Sequence, residues 1–426
     1  MYFYMMMLMV LAVPDNSVGQ NPNNVCPTWR DYFTMKSNPK CWYDFAADNK
    51  VPEIIKKSGY PFMEYKVKTN DGYFLTVFRI PGVASSKPPI FLMHGVQGTS
   101  AIYLGLGKNS LAFLLYEAGY DVWLGNYRGT EYSEEHETMN TTQREYWDYS
   151  VQDIALKDIP TMLQLVKYHS GHRGKIIYIG HSLGTTTGIM YAAEYGQSAA
   201  DTLGLLVLLT PAYKLPNMRS PYRIFFPLLN PALEITNTLN LVQSVSSSNL
   251  RNLTRPLCST SPPLMLLCLN VMNLFLGPFT QIAPETVPVY FNQIPAGTSL
   301  KTLTYLNEAT MNRFTKYDYG PGKNRYLYGS DTPPEFDLKN IRVPIYIMFA
   351  RNDWSTTRKD SIAFYNTIPE EMRYGMHEIR NLNFNHYDFL FGRDSKKLVT
   401  DKLLQVLDQF SASSPSYNIS TSVTPS

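Results

Sequence analysis

The chain is sparing with charge, cysteine and long apolar runs, and each scarcity excludes something. Charged residues make up 17% of the 426 and the formal net charge is +3. The basic residues are scattered, so nothing offers an electrostatic footprint for nucleic acid. Four cysteines, Cys26, Cys41, Cys258 and Cys268, stand without metal-ligand spacing, and neither a metal nor another cofactor is expected. The two greasiest stretches, Met1–Val13 and Leu264–Leu276, are too short to cross a bilayer, so no transmembrane segment is expected. Internal repeats are absent from the sequence. What remains is ample: 44% apolar residues can bury a large core, in one big domain with an insertion or in two domains.

Short β-branched runs alternating with helical patterns supply the fold class. Val51–Gly59 reads as a helix, and Glu64–Thr69 with Tyr73–Ile80 as a hairpin turning at Asn70-Asp71-Gly72. From Pro89 onward the style changes. Ile90–Met93, Tyr120–Leu124, Lys175–Ile179 and Leu203–Leu209 are candidate buried strands, separated by helical stretches at Ser110–Ala118, Val151–His169 (kinked at Pro160) and Thr185–Tyr195. Such alternation implies a mostly parallel central sheet covered on both faces. Between Lys214 and Asp331 it stops in favour of Pro, Asn, Leu and Phe. It resumes with the strand Ile345–Phe349, a helix at Lys359–Thr367, a last strand at Glu378–Asn381 and a closing helix at Lys396–Ser411. The expected organisation is a secretory leader over 1–19, an α/β core over 20–213 and 332–412, a mainly helical cap and lid over 214–331, and a disordered tail over 413–426. Met1–Val13 lacks a Lys or Arg, which a leader ordinarily carries.

The core is arranged around Gly180-His181-Ser182-Leu183-Gly184. A Gly-x-Ser-x-Gly match alone is common. Here a strand precedes it and a helix follows, which puts Ser182 on a sharp elbow above a helix N-terminus. A serine hydroxyl needs a base, and the base needs an orienting carboxylate. Only His377 and His386 follow Ser182. His386 lies in a loop after the last apolar strand, whereas His377 opens that strand, so His386 is the candidate base. Asp353 follows the strand Ile345–Phe349 directly and can reach the carboxyl edge of the sheet. Asp331, Asp360 and Asp388 compete, but they lie before a strand, at a helix start and too close to His386 respectively. The N–H groups of Leu183 and Val96 are the candidate oxyanion donors, Val96 lying in the loop His94-Gly95-Val96-Gln97-Gly98. His94 is read as packing its loop and His181 as propping the elbow. The cysteines form two sequence-local pairs, Cys26 with Cys41 and Cys258 with Cys268, among three possible connectivities. Asn140, Asn252 and Asn418 begin glycosylation sequons.

Longer stretches then bring in a resemblance. Gly59-Tyr60-Pro61, Asn70-Asp71-Gly72-Tyr73, Asp121 to Gly129 (DVWLGNYRG), Pro295 to Ser299 (PAGTS) and Asn385-His386-Tyr387-Asp388-Phe389 resemble the animal acid lipases, gastric, lingual and lysosomal, from about Val51 to Phe410. The resemblance implies the α/β-hydrolase fold, a Ser182–Asp353–His386 triad, oxyanion donors at Val96 and Leu183, a cap with a lid over 214–331, and a Cys258–Cys268 bond. Two departures stand out: Leu183 where that family usually has glutamine, and Tyr387 where it has leucine. The function implied is a secreted, or alternatively lysosomal, monomeric serine lipase working on neutral lipids, most of all triacylglycerols, at a lipid–water interface. A cholesteryl-ester or general carboxylic-ester hydrolase is the catalytic alternative. A non-enzymatic lipid-binding or storage protein on the same fold is the other.

Overall fold

The computed structural model describes residues 22–82, 87–225, 227, 249–259 and 261–413. The expected leader, the tail from residue 414 with Asn418, and part of the expected lid lie outside the described residues. Nine strands are present among them: β1 (Met63–Lys68), β2 (Tyr73–Ile80), β3 (Ile90–Met93), β4 (Val122–Gly125), β5 (Glu135–His136), β6 (Ile176–His181), β7 (Leu203–Leu209), β8 (Ile345–Ala350) and β9 (Arg373–Ile379). They form one sheet in the order β1-β2-β4-β3-β6-β7-β8-β9, with β5 paired to β2. The pairings β1–β2, β2–β4 and β2–β5 are antiparallel, and all pairings from β4 through β9 are parallel. This is the α/β-hydrolase fold.

Every residue of β3, β6, β7 and β8 is buried. The reason is visible in β6, where Ile177 and Ile179 join one apolar cluster and Ile176 and Tyr178 another. The sheet separates two cores, so its central strands have no wet face and need no polar alternation. Edge strands differ. Residues along β1 and β9 alternate in exposure, and for β9 this moves the boundary: the strand starts at Arg373, not Glu378, and His377 lies inside it rather than opening it. The alternation in RYGMHEI fits an edge position and conceals the strand from a search for apolar runs.

The kink expected at Pro160 takes the form of a π-helical turn, Ile154–Asp158, leading into the helix Ile159–His169. A proline within a helix clashes with the carbonyl four residues back, and a widened turn relieves the clash. The same turn carries the fully buried Asp158. That carboxylate meets Arg128 at 2.6 Å, and Arg128 also holds Asp71 of the β1–β2 turn at 2.8 Å. Arg128 and Asp158, both buried, compensate one another, which a lone buried charge could not achieve, and the partly exposed Asp71 is shared with Lys157 at 2.9 Å.

Between β7 and β8 the described helices include Asn249–Ser259, Pro262–Leu276, Val287–Gln293, Leu300–Thr310 and Pro321–Tyr328. Disulfides join Cys258 to Cys268 and Cys26 to Cys41. The helix Pro262–Leu276 is two-faced: Met265, Leu269 and Leu276 are buried, while Leu267, Val271 and Leu274 are exposed. Among the described residues no helix is long and apolar enough to cross a membrane. Asn140 is exposed and Asn252 lies in the helix Asn249–Ser259.

Candidate active site

The elbow is built by close packing. Ser182 sits at φ 53°, ψ −119°, between β6 and the helix Leu183–Thr202, a conformation that costs a side-chain-bearing residue energy. Its N–H donates to Leu209 O of β7 at 3.1 Å, and its carbonyl accepts the Thr185 N–H at 2.8 Å. The flanking glycines are required by space. A Cβ on Gly184 would stand 2.1 Å from Met93 O, and one on Gly180 2.5 Å from Gly184 O. Gln97 and Thr210, after β3 and β7, also have positive φ. Three strained residues therefore gather at the carboxyl ends of adjacent strands, where ligands bind in open α/β sheets.

The candidate acid and base meet. His386 Nδ1 lies 2.7 Å from Asp353 Oδ2, and both residues are almost fully buried. The N–H groups of Ser355 and Thr356 donate to Asp353 Oδ1 at 2.8 and 2.9 Å, and Thr356 Oγ1 donates to Oδ2 at 2.8 Å. These donors fix the plane of the carboxylate. An imidazole donating from Nδ1 is left with Nε2 as an acceptor. The other acids are engaged elsewhere: Asp331 with Arg325, Asp360 with Asn217 and Thr357, and Asp388 with Asn385, Thr280 and Gln281. The loop after β8 also borders a cleft of about 690 Å³ whose wall carries Arg219, Arg223, Arg351, Arg358 and Lys359, with Arg351 and Arg358 both paired to Glu378.

The link between elbow and base runs through His181. Its Nε2 donates to His386 O at 3.0 Å, and the two rings lie 5.0 Å apart. Among the described residues no hydrogen bond joins Ser182 Oγ to the His386 ring itself. Burial, with the neighbouring His386 adding to it, lowers the His181 pKa to about 3. Burial likewise lowers His94 to about 4. Both therefore stay neutral in mild acid, as a hydrogen-bonding prop must. His94 Nδ1 donates to Gly95 O at 2.9 Å, and Tyr127 Oη donates to the same oxygen at 3.2 Å.

That carbonyl belongs to the loop carrying Val96. Gly95 packs against Ser182 so closely that an added Cβ would lie 3.0 Å from Ser182 Cβ. On its far end the loop is held by Ala296 N–H, which donates to Gln97 O at 2.6 Å. Among the described residues the Val96 N–H has no backbone acceptor, and Leu183, first residue of its helix, has none within the helix. Neither N–H donates to a protein acceptor among the described residues. Sequence reading missed the tie from His181 to His386 and the roles of Tyr127 and Ala296. The last two lie in the DVWLGNYRG and PAGTS stretches, so the signal was present without its meaning.

Residues 51–107 match a model described as a partial alpha/beta-hydrolase lipase region, and residues 88–381 one described as the alpha/beta hydrolase fold. Lipase 3 of Drosophila melanogaster is 32% identical over 84% of this chain and 92% of its own length. The lysosomal acid lipase/cholesteryl ester hydrolase of Macaca fascicularis is 29% identical over 84% of this chain and 91% of its own. Among solved structures, the alpha/beta hydrolase GrgF from Penicillium sp. sh18 superposes with a TM-score of 0.51 at 15% identity, covering 82% of this chain and 99% of that one.

Proposed function

Because this chain belongs to the animal acid-lipase family of alpha/beta hydrolases, we propose that it is a secreted serine lipase that hydrolyses carboxylic-ester bonds of neutral lipids, triacylglycerols foremost. Ser182 is the nucleophile, His386 the base and Asp353 its orienting acid. His386 Nε2 removes the hydroxyl proton as Ser182 Oγ bonds to the ester carbonyl carbon. The carbonyl oxygen, now negative, lies between the N–H groups of Val96 and Leu183. Collapse breaks the bond to the alcohol, which departs with the proton from His386 and leaves an acyl-Ser182. Water, deprotonated by the same nitrogen, then releases the fatty acid. The bond from Ser182 Oγ to Nε2 is of the kind that is often long or poorly aligned without substrate and tightens in the substrate complex.

The observation that carries this reading is the 2.7 Å Asp353–His386 pair, tied through the His386 carbonyl to His181, the residue just before Ser182. Lipid as substrate draws support from the exposed face Leu267, Val271 and Leu274 on the insertion, with Phe279 beside it, an apolar patch of the kind that meets a partner or a lipid surface. The segment 214–331 is the cap of this site. Two disulfides favour an oxidising destination, outside the cell or in a lysosome. The printed name of the macaque relative favours a second reading, cholesteryl-ester hydrolysis. The test is the rate on trioleoylglycerol, a cholesteryl ester and a short soluble ester, with Ser182→Ala as control. A lipase loses at least about 10⁴-fold in that variant while staying folded; unchanged hydrolysis by Ser182→Ala would refute the nucleophile. A preference for the cholesteryl ester would select the second reading.

A further inference from the structure

We infer that the segment Asn273–Ile282 of the insertion is a splint that holds the acid and base loops in register, with Gly277 and Asp388 as positioning residues. The inference rests on the catalytic reading above. From the acid loop, Trp354 N–H donates to Leu276 O at 3.1 Å, Ser355 Oγ to Phe275 O at 3.2 Å, and Asn352 Nδ2 to Phe279 O at 2.9 Å. From the base loop, Asn385 Nδ2 lies 3.2 Å from Asn273 Oδ1 and 3.3 Å from Gly277 O, and just past the following helix, Asp388–Phe391, Arg393 N–H donates to Gln281 O at 3.1 Å. One stretch of chain therefore grips both loops, on either side of the Asp353–His386 contact.

Asp388 fastens the base end. Its carboxylate is fully buried and accepts from Asn385 N–H at 2.7 Å, Thr280 Oγ1 at 2.7 Å and Gln281 N–H at 3.0 Å. The first donor belongs to the residue before His386 and the other two to the splint, so the carboxylate is the joint between them. Gly277 fastens the middle. At φ 138°, it lies so close to both loops that a Cβ there would stand 2.1 Å from Asn352 O and 2.9 Å from Asn385 Cβ. Backbone cannot yield cheaply at such a distance, so any side chain drives the acid loop away from the base loop. Sub-ångström misplacement of an acid–base pair costs rate far more than it costs binding.

The test uses Gly277→Ala, Asp388→Asn and Thr280→Val in the full chain, assayed on a short soluble ester that needs no lipid surface. In each folded variant we expect kcat to fall about 10- to 100-fold, KM to change less than about threefold, and the pH profile of kcat/KM to shift because the imidazole's partner has moved. Asp388→Asn and Thr280→Val keep the test open if Gly277→Ala fails to fold. Wild-type kcat and pH profile in the folded variants would overturn the splint, as would a loss carried wholly by KM. If Ser182→Ala is inactive while these variants behave as wild type, the splint alone fails; an active Ser182→Ala removes the catalytic reading beneath it.

Discussion

The Gly180–Gly184 elbow and the Asn273–Ile282 segment solve the same problem by different means. The elbow fixes Ser182 with backbone strain and glycine contacts from elements close by, β6, its own helix and the end of β3. The insertion segment grips the neighbours of Asp353 and His386 through hydrogen bonds to loops that lie 33 residues apart from one another and 70 or more from the splint. Steric fixation is stiff and leaves little to adjust; hydrogen-bond fixation can be weakened one bond at a time. On the proposed reading, Ser182 is set by the fold, whereas the pairing of Asp353 with His386 leans on the insertion.

The largest expected effect breaks the first half of this comparison. Gly184→Ala places a Cβ 2.1 Å from Met93 O, and the elbow cannot close around it. We expect loss of soluble, active protein, or a folded residue with activity reduced at least about 10³-fold through a displaced Leu183 donor. Near-normal kcat in folded Gly184→Ala would show that the elbow tolerates what the contact forbids. The splint variants come next, being graded rather than total.

The smallest effect concerns pH. Burial raises the Asp388 pKa from 3.8 to about 7 despite its three donors. The folded chain therefore keeps that proton up to about pH 7, whereas the unfolded chain releases it above 3.8, so Asp388 favours folding progressively as pH falls from 7 to 4. His94 and His181 act the opposite way. The unfolded chain protonates them below 6.5, the folded chain only near 4 and 3, so they cost stability as pH falls through that window. Asp388 offsets part of this cost. Asp388→Asn removes the offset, and its melting temperature should drop more steeply than wild type between pH 7 and pH 4. Parallel melting curves would show that Asp388 does not titrate in that range.

Local signals made the elbow readable. Ile90–Met93 and Leu203–Leu209 are strands with the bounds their apolar runs indicate, because a strand buried on both faces has nothing else to be made of. The positions of Asp353 and His386 followed from chain order and strand ends, and the structure brings the two side chains together. What stayed hidden was long-range or two-faced. β9 alternates, and β5 is only Glu135–His136, too short for a pattern. Leu264–Leu276 read as a greasy run, yet the structure divides it into buried and exposed faces and uses its last turn to hold Trp354. Asp388, set aside as too near His386 to orient it directly, contacts that loop by way of the Asn385 N–H. No spacing rule reports such a bond.

Reaction with a long-chain alkyl fluorophosphonate, followed by peptide mass mapping of the labelled site in wild type and in His386→Ala, tests the central claim most directly. The account predicts covalent label on Ser182 alone, formed at least about 10³-fold more slowly when the imidazole is gone. Label on another residue, no label at all, or equal rates in the two proteins would contradict it.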